Sequence, residues 1–513
     1  MQDATLVQSG NSISRLRITK GSNMPVQKYN SSQPSAWKNL CAVILFCAAM
    51  AVAAQAQFTK LVDFTKANGA APQAPLVQGL DGNFYGTSVA GGSNRGGTAF
   101  GITPAGTLTT VRNFCVGQQL TCSELGAVPY TPLLLAENGS FYGTLFTAGV
   151  TDAVGGTIVR ISPTLGTTKL ANICPQSSCT NGANPRSGLI QAVDGNFYGT
   201  TSAGANINTA CSGGCGTIFK ITPSGTVTNL HSFCSLSNCA DGSVPRNELV
   251  QGNDGSIYGT TSLGGANGSG TVFKLASNGT LLTLHSFCHD TNCADGEFPN
   301  GLVLADDGNF YGTTAAQPTG YGTVFKITPA GAFTTLYTFC SLTGCADGAT
   351  PSGSLIQATD GKLYGTTQVG GVSNKGTIFR ITLGGTLTRI YSFAHLKGIL
   401  PRAGLVQGTD GSFYGTTSSG GTNFQGVVFR LSTGMGAFVK ALRPYGTVGT
   451  TIKILGNGLT GSTSVTLNGA TATFAVVSDT EITATVPTGA TTGKIQVVTP
   501  GSTLNSDVAF RVF

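Results

Sequence analysis

Few side chains in this chain could run acid–base chemistry. It has 4 histidines, and two of them, His231 and His285, hold the same place in successive copies of a repeat. An imidazole there would suit a general base. The matching places carry Arg112, Ala171, Tyr337 and Tyr391, however, so the position accepts groups that exchange no proton at neutral pH. Glu124, Glu137, Glu248 and Glu297 are scattered through connecting segments, with no spacing that would bring two carboxylates together. The chain has no GxSxG turn, no glycine loop of the phosphate-cradling kind and no DxDxDG calcium run. No catalytic residue, no metal ligand and no cofactor-binding residue is assigned, and no cofactor is expected.

Cysteine is the more orderly reactive type. Of 14 cysteines, Cys41 and Cys47 lie in an N-terminal leader and the rest fall into close pairs. Cys174 and Cys179, Cys234 and Cys239, Cys288 and Cys293, and Cys340 and Cys345 share one spacing. Cys115 and Cys122 are a longer variant, and Cys211 and Cys215 sit elsewhere in their repeat. Paired cysteines at a recurring spacing predict local disulfides, each contributing roughly 2 kcal/mol by closing a short loop. Zinc is the rival reading, but it needs four converging ligands, and the pairs, on separate blades, are read as having no partner Cys or His nearby in sequence.

What positions these groups is a repeat. FYGT-like tetrapeptides recur around Tyr85, Tyr142, Tyr198, Tyr258, Tyr311, Tyr364 and Tyr414. In the stretch from Ser187 to Phe233, SGLIQAV, NFYGTTSA, GTIFKITP and TVTNLHSF are short runs rich in Val, Ile, Thr, Phe and Tyr. Asp194-Gly195 and Ser224-Gly225 punctuate them, and no helical period survives. Asp-Gly between such runs predicts a tight hairpin. Each unit therefore reads as a four-stranded antiparallel meander, and seven of them predict an all-β, seven-bladed β-propeller over residues 57–434. FTKLVDF (Phe58–Phe64) matches a fourth strand with no strands before it, while the last unit lacks its fourth. The opening segment is expected to close the last blade and remove a free edge.

Composition agrees with a turn-rich β protein: 74 glycines and only 10% charged residues. Residues 1–56 read as a signal peptide with a long n-region, in which Met24 is an alternative start. Lys38 precedes the apolar run Leu40–Ala54, and Ala54-Gln55-Ala56 has the small-x-small pattern of a cleavage site. The run is short for a membrane span, so no stable span is expected after cleavage. The formal charge of +7 is partly a leader effect, and no nucleic-acid partner is inferred. Export to periplasm, cell surface or medium is the expected location.

Three repeated residues have structural explanations. The anchor tyrosines are expected to wedge between blades. Asp81, Asp194, Asp254, Asp307, Asp360 and Asp410, with Asn138 in the second unit, belong to their hairpins. Arg160, Lys220, Lys274, Lys326, Arg380 and Arg430 lie in third strands, where they must pair between blades or snorkel. Loop variation is concentrated on one side of the disc, in GGSNRG, FTAGVTDAVG, AGANINTACSGGC, LGGANGSG and the Cys-bearing connections. That side, with the mouth of the central channel, is the candidate surface.

From about Phe438 the vocabulary changes to short strands without Cys, at the size and rhythm of an immunoglobulin-like sandwich over 437–513. ILGNGL, SVTLNGATATF and TEITATVP resemble an IPT/TIG domain, a family of spacers and interaction modules. DGNFYGTTSxGG, GTVFKITPxG and TLHSFC resemble the GloVer-type tandem repeat of exported bacterial proteins, which implies an extracytoplasmic repeat protein of no established activity. The function expected is a non-catalytic binding or surface-interaction scaffold for polysaccharide or another envelope component. A polysaccharide hydrolase or lyase with its site at the channel mouth is the alternative, and a structural spacer the next.

Overall fold

A computed structural model describes residues 56–115, 125–147, 155–162, 166–174, 179–206, 211–315 and 321–513. The leader up to Gln55, Cys122, Glu124 and parts of the two longest loops lie outside the described residues.

The local rules produce the meander. Ile190–Gln191, Phe197–Thr201, Thr217–Ile221 and Val227–Ser232 pair antiparallel in chain order. Gly195 takes φ +80° in the first turn, and the Asp194 carboxylate accepts the Asn196 N–H at 3.1 Å. The second strand is nearly all buried, and a Cβ on Gly199 would lie 2.8 Å from the Phe219 ring, so only glycine lets that ring lie across the strand.

Among the described residues the repeat builds seven such sheets, all antiparallel; the sixth adds a short strand, Ala349–Pro351. In the seventh, Gln57–Asp63 is the outer strand, pairing Phe58 with Leu431 and Lys60 with Phe429. Each anchor tyrosine then packs on the second strand of the next sheet. Ring centroids are 4.4 Å apart for Tyr85–Phe141 and Tyr142–Phe197, 4.2 Å for Tyr258–Phe310 and 4.3 Å for Tyr364–Phe413. Ile257 and Leu363 take the phenylalanine's place beside Tyr198 and Tyr311. Tyr414 stacks on Phe84 of the first sheet at 3.8 Å. The fold is all-β and propeller-like.

The tyrosine hydroxyls have a partner within their own sheet. Tyr198 donates to Asp194 at 2.8 Å, Tyr258 to Asp254 at 2.9 Å and Tyr414 to Asp410 at 2.9 Å. The third-strand cations converge on the same carboxylates: Lys274 on Asp254 at 2.7 Å, Lys326 on Asp307 at 3.1 Å and Arg430 on Asp410 at 3.1 Å. These pairs lie within sheets, not between them, because the hairpin turns its Asp back over its own strands.

Disulfides join Cys174–Cys179, Cys211–Cys215, Cys234–Cys239, Cys288–Cys293 and Cys340–Cys345. Cys115 is disulfide-bonded as well. Two pairs come closer than their sequence suggests: the sulfurs of Cys211, Cys215, Cys234 and Cys239 lie within 4.8 Å of one another. Beside three of the disulfides sits a buried aspartate, Asp241, Asp295 or Asp347. Asp241 accepts from the Ser235 and Leu236 N–H groups at 3.1 and 3.2 Å and contacts His231 Nε2 at 3.0 Å. His285 meets Asp295 at 2.9 Å, and Tyr337 donates to Asp347 at 2.8 Å. His231 and His285 are thus ties for the connection.

The C-terminal strands form two four-stranded sheets around one core that includes Ile454, Val465, Leu467, Ile482 and Val497. This module sits on the Asp-Gly turn side of the repeat sheets. Thr480 donates to the Leu80 carbonyl at 2.6 Å, Tyr445 to that of Gln191 at 2.5 Å, and Arg511 to Asn253 Oδ1 at 2.9 Å. Arg443 pairs with Glu137, and Lys494 with Asp306 at 3.6 Å.

Candidate functional site

A buried leucine stands just before each first strand, or within it in the fifth sheet: Leu76, Leu133, Leu189, Leu249, Leu302, Leu355 and Leu405. In all but one of the sheets the residue just before it lines one shared cavity. Around the seven sheets that residue is Pro75, Pro132, Gly188, Glu248, Gly301, Ser354 and Gly404. Neighbours in this ring nearly touch. A Cβ on Gly301 would lie 2.2 Å from Ser354 Oγ, and one on Gly188 would lie 2.3 Å from Glu248 Oε1 and 2.8 Å from the Pro132 ring. Six positions carry Pro, Gly or Ser; the seventh alone carries a charge.

Glu248 is held by its neighbour. The Asn247 amide donates to Thr260 Oγ1 in its own sheet at 3.1 Å and to the Pro299 carbonyl leading into the next at 2.9 Å. The glutamate is enclosed by the surrounding sheets, though part of its surface remains open to the lumen. Burial pushes its carboxyl up to about 7. An acid balanced between its two forms at neutral pH can both take and return a proton.

Above the ring, toward the Cys-bearing connections, a cavity of about 120 Å³ is lined by Gln73, Tyr130, Arg186, Arg246, Glu248 and Arg402, among others. The Arg186 guanidinium lies over Tyr130 and Phe146, 5.0 and 4.7 Å from their centroids. Burial, reinforced by the charge of Arg186, lowers the pKa of Arg246. Among the described residues none of these three arginines has an acidic partner within ion-pair distance. Below the ring lies a larger chamber of about 730 Å³, a volume typical of small-molecule sites. Its walls include Leu249, Leu302, Leu304, Ile356 and Leu405, and the C-terminal module supplies its floor through Val512 and Phe513. Pro75, Glu248, Ser354 and Gly404 line both spaces.

Sequence reasoning set Glu248 aside as one scattered glutamate among four; the fold places it where the two spaces meet. Glu137 instead pairs with Arg443, and Glu297 accepts from Ser269 at 3.0 Å. The signal lay in aligning the repeats and asking which copy departs at the position before the leucine. Cys174–Cys179, Cys234–Cys239, Cys288–Cys293 and Cys340–Cys345 lie in the connections between sheets, and Cys211–Cys215 in the loop between second and third strands of its sheet.

Three comparisons bear on the chain. The profile of the Gloeobacter/Verrucomicrobia repeat matches residues 128–346 and 292–476. No curated protein matches it. Similar solved structures include the periplasmic gluconolactonase PpgL of Pseudomonas aeruginosa, 16% identical with a TM-score of 0.43, over 69% of this chain and 96% of that one. A Bacteroides uniformis protein assigned as a 6-phosphogluconolactonase is 15% identical, TM-score 0.41, over 71% and 89%. A luciferin-regenerating enzyme is 11% identical, TM-score 0.40, over 75% and 97%. These neighbours are enzymes, which corrects the expectation of a non-catalytic scaffold binding polysaccharide or an envelope component. At such identities the likeness itself extends to the fold alone.

Proposed function

Because this chain belongs to the Gloeobacter/Verrucomicrobia repeat family, whose recurring unit accounts for the sheets, we propose that its chemistry resides where the units differ, at Glu248, and that the protein is a hydrolase-type enzyme. The observation that carries this reading is the single carboxyl in a ring of Pro, Gly and Ser, with its pKa pushed up to about 7. In the reaction Glu248 takes a proton from water as the water oxygen bonds to an acyl carbon. The acyl C–O bond then breaks, and the proton returns from Glu248 to the departing oxygen.

Seven sheets, each packed on the next, with Tyr414 on Phe84 at 3.8 Å, support a closed seven-bladed propeller over 57–434. The two-sheet core supports an immunoglobulin-like module of the IPT/TIG kind over 437–513. The disulfides support export, with residues 1–56 as the leader. Among the described residues no helix is long and apolar enough to cross a membrane.

The test is acid release, followed with a pH indicator, from a panel of lactones and carboxylic esters. The parent is expected to hydrolyse at least one, with an inflection near pH 7, and Glu248→Gln to lose roughly a hundredfold or more. Equal rates in parent and variant, or no hydrolysis of any panel member, would overturn the reading.

A further inference from the structure

The two spaces that meet at Glu248 differ in kind. The upper one presents Arg186, Arg246 and Arg402, which among the described residues have no acidic partner within ion-pair distance, and the charge of Arg186 disfavours the charged form of Arg246. Like charges gathered without a counterion are stabilised by an anion that binds between them. The lower space is walled by aliphatic side chains. The polar groups on its floor are already engaged, Arg511 with Asn253 and Asp306 with Lys494. They therefore ask nothing of a ligand, whereas an apolar ligand would bury surface against Leu302, Leu304, Ile356, Leu405 and Phe513. Pro75, Glu248, Ser354 and Gly404 line both spaces, so one extended ligand can reach from the first into the second past mostly small side chains.

We propose that the site binds an amphiphilic acid: an anionic head held by Arg186, Arg246 and Arg402, and an aliphatic tail reaching through the ring into the chamber above the C-terminal module. This rests on Glu248 as the reacting group only in placing the scissile bond, which would fall where polar head and aliphatic tail meet. The anion is a carboxylate or a phosphate, since both are read by guanidinium groups in the same way.

Binding to the full mature chain, measured by calorimetry at pH 8 below the micellar range, tests this apart from catalysis. Decanoate and decyl phosphate carry head and tail, decanol only the tail, acetate and inorganic phosphate only the head. One saturable site is expected for an anionic decyl ligand, at least tenfold tighter than for decanol or either free anion; which decyl anion binds tighter identifies the head. Arg246→Gln with Arg402→Gln should weaken it tenfold or more. Leu304→Trp, which fills the chamber, should remove the advantage of the tail while leaving the free anions unchanged. Decanol binding as tightly as decanoate, binding indifferent to the arginine substitutions, or no saturable site would each overturn the proposal. Decanoate bound equally by the parent and Glu248→Gln with no ester hydrolysed would sink the enzymatic reading instead and leave this one standing.

Discussion

A methyl group on Gly188 would stand 2.3 Å from Oε1 of Glu248, though the two residues belong to different repeats. The neighbouring sheet thus shapes the space that the carboxyl occupies, and a side chain there must push it toward the lumen and its water. Gly188→Ala is expected to lower the Glu248 pKa from about 7 toward the ordinary carboxylate range and to cost roughly 1–3 kcal/mol of stability through overpacking. Carboxyl ¹³C titration, with the Glu248 signal assigned by its loss in Glu248→Gln, reads the shift. An unmoved titration would mean that burial by this neighbour does not set the proton affinity.

Glu248 also costs the fold stability as pH rises. Its folded-state pKa of about 7 lies above the 4.5 of an ordinary glutamate, so the native chain binds the proton more tightly than the unfolded one. The cost is absent below the unfolded value, grows between the two and is complete above 7. At 1.36 kcal/mol per pH unit it reaches at most about 3 kcal/mol, less where channel water solvates the carboxylate. Glu248→Gln should therefore be more stable than the parent at pH 8 by about 1–3 kcal/mol, and the difference should vanish by pH 4. Urea denaturation at both pH values decides it; a gap independent of pH would mean that the carboxyl titrates normally.

The contrast between Glu248 and the anchor tyrosines explains what the sequence could disclose. A period-two run such as NFYGTT, closed by Asp194-Gly195, dictates strand and turn by local sterics, so the meander was readable. So was the pairing of the opening strand with the last sheet, because a fourth strand without its first three has to find a partner. The site was not readable by these means. Glu248 acquires its character from Gly188, one repeat away, and from enclosure that no local pattern announces. The chamber floor needed the docking of the C-terminal module on the Asp-Gly turns, through Arg511 on Asn253 and Tyr445 on Gln191. No periodicity encodes that contact. The partner of His231 lay ten residues away at Asp241, but nothing in the local sequence marks that carboxylate as buried.

That buried aspartate makes a stability prediction. Burial alone would raise the Asp241 carboxyl, but the His231 ring, the Ser235 hydroxyl and N–H, and the Leu236 N–H outweigh it and hold the carboxyl below the ordinary carboxylate range. A depressed acid stabilises the fold above its unfolded pKa and loses that contribution as pH falls through the folded value. Asp241→Ala strands these donors in the interior and should cost roughly 2–4 kcal/mol at pH 7, less in strong acid. A loss below 0.5 kcal/mol at pH 7, on the order of a surface change, would show that the disulfide Cys234–Cys239 holds the connection unaided.

Ring closure can be tested at the stack of Tyr414 on Phe84. Phe84 joins the first sheet to the seventh, and Phe310 makes the corresponding contact with Tyr258 between the fourth and fifth. Both phenylalanines are fully buried, so truncation to alanine should cost about 3–5 kcal/mol at either site. In a closed disc the two junctions are equivalent, and the losses for Phe84→Ala and Phe310→Ala should agree within about 1 kcal/mol, the scatter expected from local relaxation. In an open array the first sheet would end in solvent, and Phe84 would behave as a surface residue whose truncation costs about 0.5 kcal/mol or less. Paired urea titrations measure both, and a small loss at Phe84 beside a large one at Phe310 would open the ring and take with it the channel on which the role of Glu248 depends.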